Sequence, residues 1–479
     1  MNLFRPAPAL LAAAWLAGCA NPAGIAPSHE LLRPAATADA AGWPDPARDG
    51  TAWADWHDAR LDALIATALR DQPSLKIVQL RVQQAGRAVA AADAARAPQV
   101  NASADLSDQR FTKNGMFPPP LGGALLWNNS AQFGASWEWD LFGRQRAALA
   151  AAVGTERAAA AEGQAAGMLL AANIASGYVG LARALELRAV AQAALTEREQ
   201  VLSIVRGRVG AGLDTKVDLR QAEGAVAQTR LDAAAADQQI ARARHALAEL
   251  SGQPPQALDN LSPVLAPLHA RPLPAGLPLA LIGRRADVVA EKWRVEAAAR
   301  DVDVARAQFY PNINLVAFAG LSSLGLSDFL KAGSQTYGIG PALSLPIFDG
   351  GRLRANLGAK ADAADIAVET YNATLLRAMR EVADEVSDLR SIEAQQHEQD
   401  AALAAAESAF QLATERYRAG LGNFLVVLTA ESSVLAQRRN HAELKARHLL
   451  AEVALSRALG GGVDADAPSN NTFAQRVSQ

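Results

Sequence analysis

The sequence of 479 residues contains one cysteine, and aromatic residues make up only 5% of it. A single cysteine excludes any intramolecular disulfide. After the N-terminal segment there is no run of 18 consecutive apolar residues, which argues against an ordinary transmembrane helix. If the protein crosses a membrane, we therefore expect it to do so with β-strands.

The sequence also lacks the short motifs of common enzyme sites. Its seven histidines are scattered without a His-Glu-x-x-His zinc motif, and there is no Gly-x-x-x-x-Gly-Lys phosphate loop. We therefore expect no enzyme activity, no cofactor and no metal. The net charge is −3, and a chain without a basic field is not expected to bind nucleic acid.

The first residues have the pattern of an export signal. Arg5 gives a short positive region, and the apolar stretch at 7–17 is too short to span a bilayer as a helix. It ends in Leu-Ala-Gly-Cys19, which resembles a bacterial lipobox and predicts that Cys19 is lipidated. The alternative is an ordinary signal peptide with an incidental cysteine. By resemblance to known lipoproteins, Ala20 in the next position favours sorting to the outer membrane.

One pattern occurs twice along the chain. Arg144 and Arg352 each follow a strand-like segment, Gly212 and Gly420 each lie in an Ala-Gly-Leu turn, and both pairs are 208 positions apart. A shared offset at two places predicts a tandem duplication. The predicted divisions are a lipoprotein signal peptide at 1–18, a lipidated tether at 19–52, a first repeat at 53–250, a linker at 251–283, a second repeat at 284–459 and a disordered tail at 460–479.

Alternation of apolar and polar residues predicts two strands in each repeat, at 99–107 and 132–141, then at 312–321 and 336–347. Pro341 removes a ladder donor, which predicts an edge position or a bulge. Each strand has one apolar face. These faces consist of Val100, Ala102, Ala104 and Leu106; Phe133, Ala135, Trp137, Trp139 and Leu141; Ile313, Leu315, Ala317 and Ala319; and Tyr337, Ile339, Leu343 and Leu345.

Long helices follow each strand pair. Residues 143–207 carry no proline, and a helix of that length would extend roughly 100 Å. Residues 352–416 are similarly uninterrupted, and shorter helices are expected at 58–71 and 74–96. Two series of residues at 3,4 spacing predict coiled-coil packing. They are Leu219, Ala222, Val226, Thr229, Ala233, Ala236, Ile240, Ala243, Leu247 and Leu250; and Val368, Tyr371, Leu375, Ala378, Val382, Glu385, Leu389, Ile392, Gln396, Gln399, Leu403, Ala406, Phe410, Ala413 and Tyr417.

Four strands cannot close a membrane barrel, which needs about eight. A four-stranded sheet would leave open edges and an exposed apolar face. A trimer removes both problems, because three chains supply twelve strands. We therefore predict an α+β membrane protein with a trimeric 12-stranded β-barrel, four strands per chain, continued by a long α-helical coiled-coil barrel. The alternative for the tryptophan-rich face is a half-buried soluble sheet.

Several motifs in a fixed order carry a family resemblance. They are the lipobox, Trp137-Glu-Trp-Asp-Leu-Phe-Gly-Arg144, Pro346-Ile-Phe-Asp-Gly-Gly-Arg352, Arg284-Arg-Ala-Asp-Val288 and the two Arg-x-x-Ala-Gly-Leu turns. Together they resemble the outer-membrane efflux factors of the TolC/OprM type, in the NodT-like lipoprotein branch. The resemblance implies a homotrimeric channel in outer-membrane lipid. It also implies a periplasmic adaptor (membrane fusion) protein and an inner-membrane efflux pump of the RND type as partners, which export drugs or other small molecules.

The resemblance further implies that the helical hairpin turns form the periplasmic end of the tunnel. Glycine permits the left-handed backbone between two helices, and Asp214 or Thr215, and Asn423, are the expected N-caps. The alternative is a plain helix–helix turn without a partner. The residues assigned to the adaptor contact are Arg208, Gly212, Leu213, Arg416, Gly420 and Leu421.

A gate is expected just inside the turns. Asp218 is the best-placed acid after the first turn, and a ring of carboxylates on a three-fold axis would favour cations. Related proteins often carry Asp where this chain has Thr429, which weakens the case for a carboxylate gate from the second hairpin. Leu425 and Leu428 offer an apolar constriction instead, since apolar narrowings can gate by dewetting.

Arg144 and Arg352, where the long helices begin, are expected to be solvated or to form structural ion pairs with Asp140 or Asp349 rather than to act in transport. A rival function fits many of the same features. It is an outer-membrane-tethered structural or adaptor lipoprotein with coiled-coil hairpins, a soluble β-domain and no pore.

Overall fold

The computed structural model describes residues 21–32, 52–265, 268 and 279–460. The predicted lipobox with Cys19, most of the tether, part of the linker and the predicted tail after Gly460 lie outside these residues. The described chain forms two compact units, each of which takes segments from both predicted repeats. The sheet unit comprises the described residues of 1–31, 81–159 and 290–372, and the hairpin unit those of 32–80, 160–289 and 373–479.

Seven α-helices account for most of the described residues. They are α1 (Ala59–Asp71), α2 (Pro73–Ala94), α3 (Arg144–Gly210), α4 (Lys216–Leu250), α5 (Ala286–Ala307), α6 (Arg352–Arg418) and α7 (Phe424–Ala458). Short 3₁₀-helices lie at Ala52–Trp56, Pro255–Leu258, Leu279–Arg284, Leu326–Asp328 and Ala332–Ser334. The four predicted helices are confirmed, with ends that differ by at most about three residues, the usual uncertainty of a helix end.

The two long hairpins have matching lengths. Helices α3 and α6 have 67 residues each, and helices α4 and α7 have 35 each. Each helix of the second hairpin begins and ends 208 positions after its counterpart in the first. The offset read from two short motifs therefore extends to every end of the four longest helices.

Four strands form one antiparallel sheet in the order β1-β2-β3-β4. They are β1 (Gln99–Arg110), β2 (Leu125–Trp139), β3 (Asn312–Leu324) and β4 (Gln335–Ser344). All four predicted strands are confirmed, but some ends are wrong. Strand β2 begins seven residues early, because residues 125–131 pair with residues 104–110 without clean alternation. Strand β4 ends three residues early, shortly before Pro346, which has no N–H to donate.

The register places the four apolar faces on the same side of the sheet. One row of paired residues joins Ala102, Phe133, Ala319 and Tyr337, and parallel rows join Val100 to Ile339 and Trp139 to Leu343. Because a shift of one residue would move a whole strand to the opposite face, this agreement across three strand pairs fixes the register. Pro341 lies opposite Leu315 on β4, an edge strand of this four-stranded sheet, as its missing donor predicts.

The two predicted coiled-coil series are confirmed. Every residue of both series is buried or partly buried, including Thr229 in α4 and Tyr417 at the end of α6. Alanine occupies several of the positions in both series. The packing face of these helices therefore follows the 3,4 spacing over most of their length.

The core of the hairpin unit surrounds Tyr178, which is fully buried among apolar side chains such as Leu61 and Leu247. The Tyr178 hydroxyl donates to Asp58 at 2.5 Å. The Asp58 carboxylate also accepts the backbone N–H of Arg60 and is the N-cap of α1. Burial is the main cause that raises the pKa of the Tyr178 hydroxyl, and the hydrogen bond to Asp58 raises it further. This tyrosine therefore stays neutral.

Residues 21–31, here called the strap, run along helix α6 in the sheet unit. The carboxylate of Asp365 accepts the backbone N–H groups of Ser28 and His29 at 2.9–3.1 Å, as well as the Ser28 hydroxyl at 3.0 Å. Asn372 donates to the carbonyl of Glu30 at 3.1 Å. These polar contacts and the apolar contact of Ile25 fix the strap on the helix.

One helix in the described part of the chain is long and apolar enough to cross a membrane by length and composition. It is α3, in which an 18-residue stretch has a mean hydropathy of 1.4. Half of that stretch is buried by other parts of the protein. Such burial is typical of a helix packed in a protein core, and an isolated signal of this kind is weak evidence for a membrane helix.

Candidate functional site: an apolar sheet face and a hairpin tip

The apolar face of the sheet is open to the surroundings. Phe133 is 67% exposed, and Ile339 and Tyr337 on β4 are 74% and 80% exposed. Soluble monomers rarely leave an apolar surface of this extent uncovered. A face of this kind needs either lipid or another protein against it.

The opposite face of the sheet is polar or small. Most of its residues are either polar, with side chains that can hydrogen-bond with water, or glycine. Its members in the central rows are Asn101, Ser103, Asp105, Ser130, Gln132, Gly134, Ser136, Gly320, Ser322, Thr336, Gly338 and Gly340, together with Val316 and Phe318. The sheet therefore has one face suited to lipid and one suited to water, as in a membrane barrel.

Both outer edges of the sheet lack a partner strand within the described chain. Strand β1 pairs only with β2, and β4 pairs only with β3. An unpaired strand edge presents a row of free N–H and C=O groups, which cannot be left unsatisfied in lipid. The sheet is therefore incomplete as a membrane structure when it stands alone.

The start of helix α3 corrects one prediction. Arg144 does not pair with Asp140 but with Glu138, and its Nε donates to that carboxylate at 3.0 Å. Asp140 instead accepts the backbone N–H groups of Gln145 and Arg146 at 3.0 and 2.9 Å. The free N–H groups of the first helical turn require acceptors, and the Asp140 carboxylate is the acceptor for two of them.

The start of helix α6 shows the same exchange of roles. Asp349 accepts the backbone N–H groups of Gly351 and Leu353 at 3.0 and 2.8 Å. It therefore caps the start of α6, as Asp140 caps the start of α3. In the described part of the chain Arg352 forms no ion pair with Asp349, so the paired alternative is wrong here, and the exposed Arg352 agrees with the solvated one.

Two turns close the long hairpins, and they have the same construction. Gly212 and Gly420 have positive φ angles of 71° and 74°, which side chains disfavour. The N–H of the following leucine reaches back to the carbonyl of Arg208 in the first turn and of Arg416 in the second, at 2.9 and 2.8 Å. This pattern ends a helix at a left-handed glycine, as the sequence predicts.

The side chains at the ends of these turns are free to meet another molecule. Leu213 and Leu421 are 65% and 71% exposed. Arg416 keeps its side chain exposed as well, whereas that of Arg208 is engaged within the protein. Of the residues assigned to the adaptor contact, the two leucines and Arg416 are therefore accessible, and Arg208 has a structural use.

A charged cluster ties the two turns together. Arg208 Nε donates to Asp214 at 2.9 Å, and the Tyr417 hydroxyl donates to the same carboxylate. The guanidinium also lies 4.6 Å from the centre of the Tyr417 ring, a distance typical of a cation–π contact. The bond from Arg208 lowers the pKa of Asp214, burial opposes it, and the bond from Tyr417 lowers it further.

The helices that leave the turns begin with two of the three predicted cap candidates, Thr215 rather than Asp214 in the first hairpin and Asn423 in the second. Thr215 accepts the N–H of Asp218, and the Asp218 carboxylate accepts the N–H of Thr215 at 2.9 Å, which forms a capping box. Asn423 accepts the N–H of Val426 at 3.2 Å. Asp218 was predicted as a gate acid; one of its oxygens is used in the capping box, and its role in a gate stays a prediction.

The other gate candidates differ in exposure. Leu425 is 59% exposed, and Thr429 is exposed one turn later on the same helix. Leu428 is partly buried against the cluster around Val427 and Tyr417. If α7 lines a narrow passage, Leu425 and Thr429 are available to it, and Leu428 mainly supports the packing behind them.

Sequence reasoning missed a buried ion pair between α3 and α7. Arg198 Nε lies 3.4 Å from Oε1 of Glu431, whose side chain is 3% exposed. Arg198 also donates to Thr229 of α4 at 2.6 Å. Burial raises the pKa of Glu431, and the charge of Arg198 opposes that effect. The signal was available, because Glu431 interrupts the apolar 3,4 series Phe424, Val427 and Val434 of α7.

Comparison with known proteins decides the family. Residues 64–253 and 277–461 match the outer membrane efflux protein family. The chain belongs to this family. The match confirms the resemblance drawn from the motifs, and it makes the chain an outer-membrane protein of efflux transport. Among the described residues, no group of three or more His, Cys, Asp or Glu side chains could hold a metal ion.

Individual relatives agree with the family match. The chain is 32% identical over 463 residues to the multidrug resistance outer membrane protein MdtQ of Escherichia coli O157:H7, covering 92% of this chain and 95% of MdtQ. It is 38% identical over 323 residues to the fusaric acid resistance protein FusA of Burkholderia cepacia, of which it covers 60%. The outer membrane protein VceC of Vibrio cholerae has a similar structure, with a TM-score of 0.78, 32% identity and coverage of 88% of this chain and 99% of VceC.

Proposed function

We propose that the protein is the channel of a tripartite efflux system, and that three copies form a passive exit duct for small molecules through the outer membrane. One observation carries the proposal. The sheet has an apolar face continuous across four strands, and two unpaired edges. Neither feature is stable in a monomer, and a closed ring of sheets satisfies both.

The number of chains follows from barrel geometry. Four strands are too few to close, since the smallest membrane barrels have about eight. Three chains would place β4 of each copy beside β1 of the next and give twelve strands. The tandem duplication then has a structural purpose, because each repeat supplies two strands and one long hairpin.

The orientation of the barrel follows from its side chains. The face with Phe133 and Ile339 meets lipid, and the polar face lines the water-filled interior. Trp137 and Trp139 lie near the helical end of the sheet, with ring centroids 6.3 Å apart. Tryptophan is favoured at the membrane–water interface, so we place the periplasmic surface of the membrane at these two residues.

The hairpin tips are the proposed docking surface for a periplasmic adaptor protein. Leu213 and Leu421 give each tip an exposed apolar side chain beside the positive charge of Arg416. The adaptor would connect the channel to an inner-membrane pump, for which we propose the RND type. Gate residues inside the tips are Leu425 and Thr429, with Asp218 as the acid nearest the first turn.

The cargo is inferred from the relatives. One is named for multidrug resistance and another for resistance to fusaric acid. We therefore propose that this channel releases antimicrobial or otherwise toxic small molecules. The selection of cargo is expected to lie mainly with the pump.

A lipid anchor at Cys19 agrees with the position of the strap. Arg354, close to the first residue of α6, donates to the carbonyl of Asn21, and the strap then runs toward Asn372. The strap's first residues are therefore held near the end of β4, where the proposed membrane surface lies. An acyl chain on Cys19 would be within reach of that surface.

The test is the mass and conductance of the full-length lipidated protein after extraction in detergent. A three-chain particle that gives discrete current steps in a planar bilayer is the expected result. A monomer without conductance would contradict the proposal and favour the lipoprotein without a pore. In cells, deletion of the gene is expected to lower resistance to a group of toxic compounds, and re-expression should restore it.

A further inference from the structure

The polar face of the sheet carries a single aromatic side chain. The strands contain six aromatic residues, and five of them lie on the apolar face. Phe318 of β3 lies on the other face, where its ring is 40% exposed. An aromatic ring left open on a face lined by serine, glycine and asparagine calls for an explanation other than lipid contact.

The residues paired in one row with Phe318 have short side chains or none. From β1 to β4 the row reads Asn101, Gly134, Phe318 and Gly338. A Cβ on Gly338 would lie 2.8 Å from Cε1 of Phe318, so one edge of the ring covers this glycine. A Cβ on Gly134 would lie 2.7 Å from Oδ1 of Asn101, so the amide covers the other glycine.

The next row leaves unoccupied space above the sheet beside the Phe318 ring. From β1 to β4 it reads Gln99, Ser136, Val316 and Gly340, and a Cβ on Gly340 would have no neighbour within 4 Å among the described residues. Val316 is partly exposed on the same strand as Phe318. Phe318 and Val316 therefore form a shallow apolar step on this face, next to the uncovered backbone of Gly340 and the amide of Asn101.

We propose that Phe318 is a contact site for aromatic cargo, at which solutes with a planar aromatic ring stack as they pass through the barrel. The inference rests on the proposed function, because it requires the polar face of the sheet to line the channel. Aromatic rings attract one another in offset-stacked or edge-to-face arrangements. Gly340 on β4 leaves room for a second ring next to the first, and a trimer would carry three such sites.

The experiment measures how long a blocking solute stays in the channel. Ethidium, a planar aromatic cation, is added to the barrel side of the reconstituted full-length protein, and the duration of each current block is recorded. Tetrabutylammonium, a cation of the same charge without a ring, is measured in parallel. Phe318→Leu is expected to shorten the ethidium blocks by about three- to tenfold, the loss of one aromatic contact, and to leave the tetrabutylammonium blocks unchanged.

Two further variants separate cargo contact from structure. Phe133→Leu removes the same side chain from the neighbouring strand on the opposite face, and native ethidium blocks are expected for it. Phe318→Tyr keeps a ring at the site and is expected to keep the long blocks, even if Phe318→Leu fails to assemble.

The outcomes are distinct. Equal ethidium blocks for native protein and Phe318→Leu, or equal shortening for both cations, would overturn the inference and leave the channel function intact. Short ethidium blocks for Phe318→Tyr in an assembled trimer would also overturn it. A native trimer that never conducts would overturn the proposed function and this inference with it.

Discussion

Tyr417 and Asp214 connect the two hairpin turns, because the tyrosine hydroxyl donates a hydrogen bond to the carboxylate across 203 positions of sequence. Arg208 donates to the same carboxylate from the other side and lies against the tyrosine ring. Arg208 also donates to the backbone carbonyl of Tyr417 at 3.2 Å, so two hydrogen bonds and a cation–π contact join the first turn to the second. Any opening that separates the hairpins at this end must break these contacts.

The first prediction concerns the hydrogen bond of the Tyr417 hydroxyl. Tyr417→Phe keeps the ring packing and removes only the hydroxyl, so we expect a loss of about 0.5–1.5 kcal/mol in the local stability of the turns. Hydrogen exchange of the backbone amides in residues 208–215 and 416–423 measures it. Asp214→Asn should accelerate exchange further, since Arg208 then lacks its carboxylate. Native exchange rates in Tyr417→Phe would show that the tyrosine hydroxyl does not help to hold the two turns together.

The tip illustrates what could be predicted from sequence. Gly212 and Gly420 predicted left-handed turns, and Thr215 and Asn423 predicted caps, because these features depend on the backbone within about five residues. The bond between Asp214 and Tyr417 could not be predicted, because it depends on how two hairpins far apart in sequence meet. The strands could be predicted from the alternation of apolar and polar residues, and the packing faces of the helices from the 3,4 spacing, for the same local reason.

The wrong pairing of Arg144 has a similar cause. Both Glu138 and Asp140 lie within six residues of Arg144, and charge alone does not choose between them. Asp140 accepts the N–H groups at the start of α3 and pairs with the side chain of Arg146, which leaves Glu138 for Arg144. The backbone N–H groups at a helix start therefore decide which carboxylate lies beside them, and the ion pairs form around that choice.

The second prediction concerns pH and Glu431. Because burial raises the pKa of Glu431 above its usual value of 4.5, the folded protein holds this proton more tightly than the unfolded chain does. The contribution of Glu431 to stability is therefore fully present below about pH 4.5, and it is lost as the pH rises through the raised folded pKa. Glu431→Gln removes that loss. We expect the melting temperature of Glu431→Gln, relative to the native protein, to increase between pH 4 and pH 7.

A neighbouring variant checks the assay for Glu431. Ser432→Ala lies on the same helix and removes no titrating group, so its melting temperature relative to the native protein should not vary with pH. A difference between Glu431→Gln and native protein that is constant from pH 4 to pH 7 would show that burial does not change the protonation of this glutamate.

The third prediction tests which face of the sheet meets lipid. Ile339→Arg and Thr336→Arg place the same charge on β4, three residues apart and on opposite faces. An arginine on the lipid face costs about 2–4 kcal/mol near the middle of the membrane, whereas one in the interior is hydrated. We expect Ile339→Arg to reduce the heat-resistant trimer in outer-membrane fractions and Thr336→Arg to preserve it. The reverse result would mean that the polar face is the outer one.

The fourth prediction separates two leucines of α7. Leu425 is 59% exposed, whereas Leu428 packs against the buried cluster of Val427 and Tyr417. Leu425→Ser should raise single-channel conductance in planar bilayers with little change in stability, because it removes an apolar side chain from the proposed constriction. Leu428→Ser should instead lower the free energy of unfolding by about 2 kcal/mol through lost packing. An unchanged closed trace for Leu425→Ser would remove this residue from the gate, and Thr429 would then be the exposed candidate that remains on the same helix.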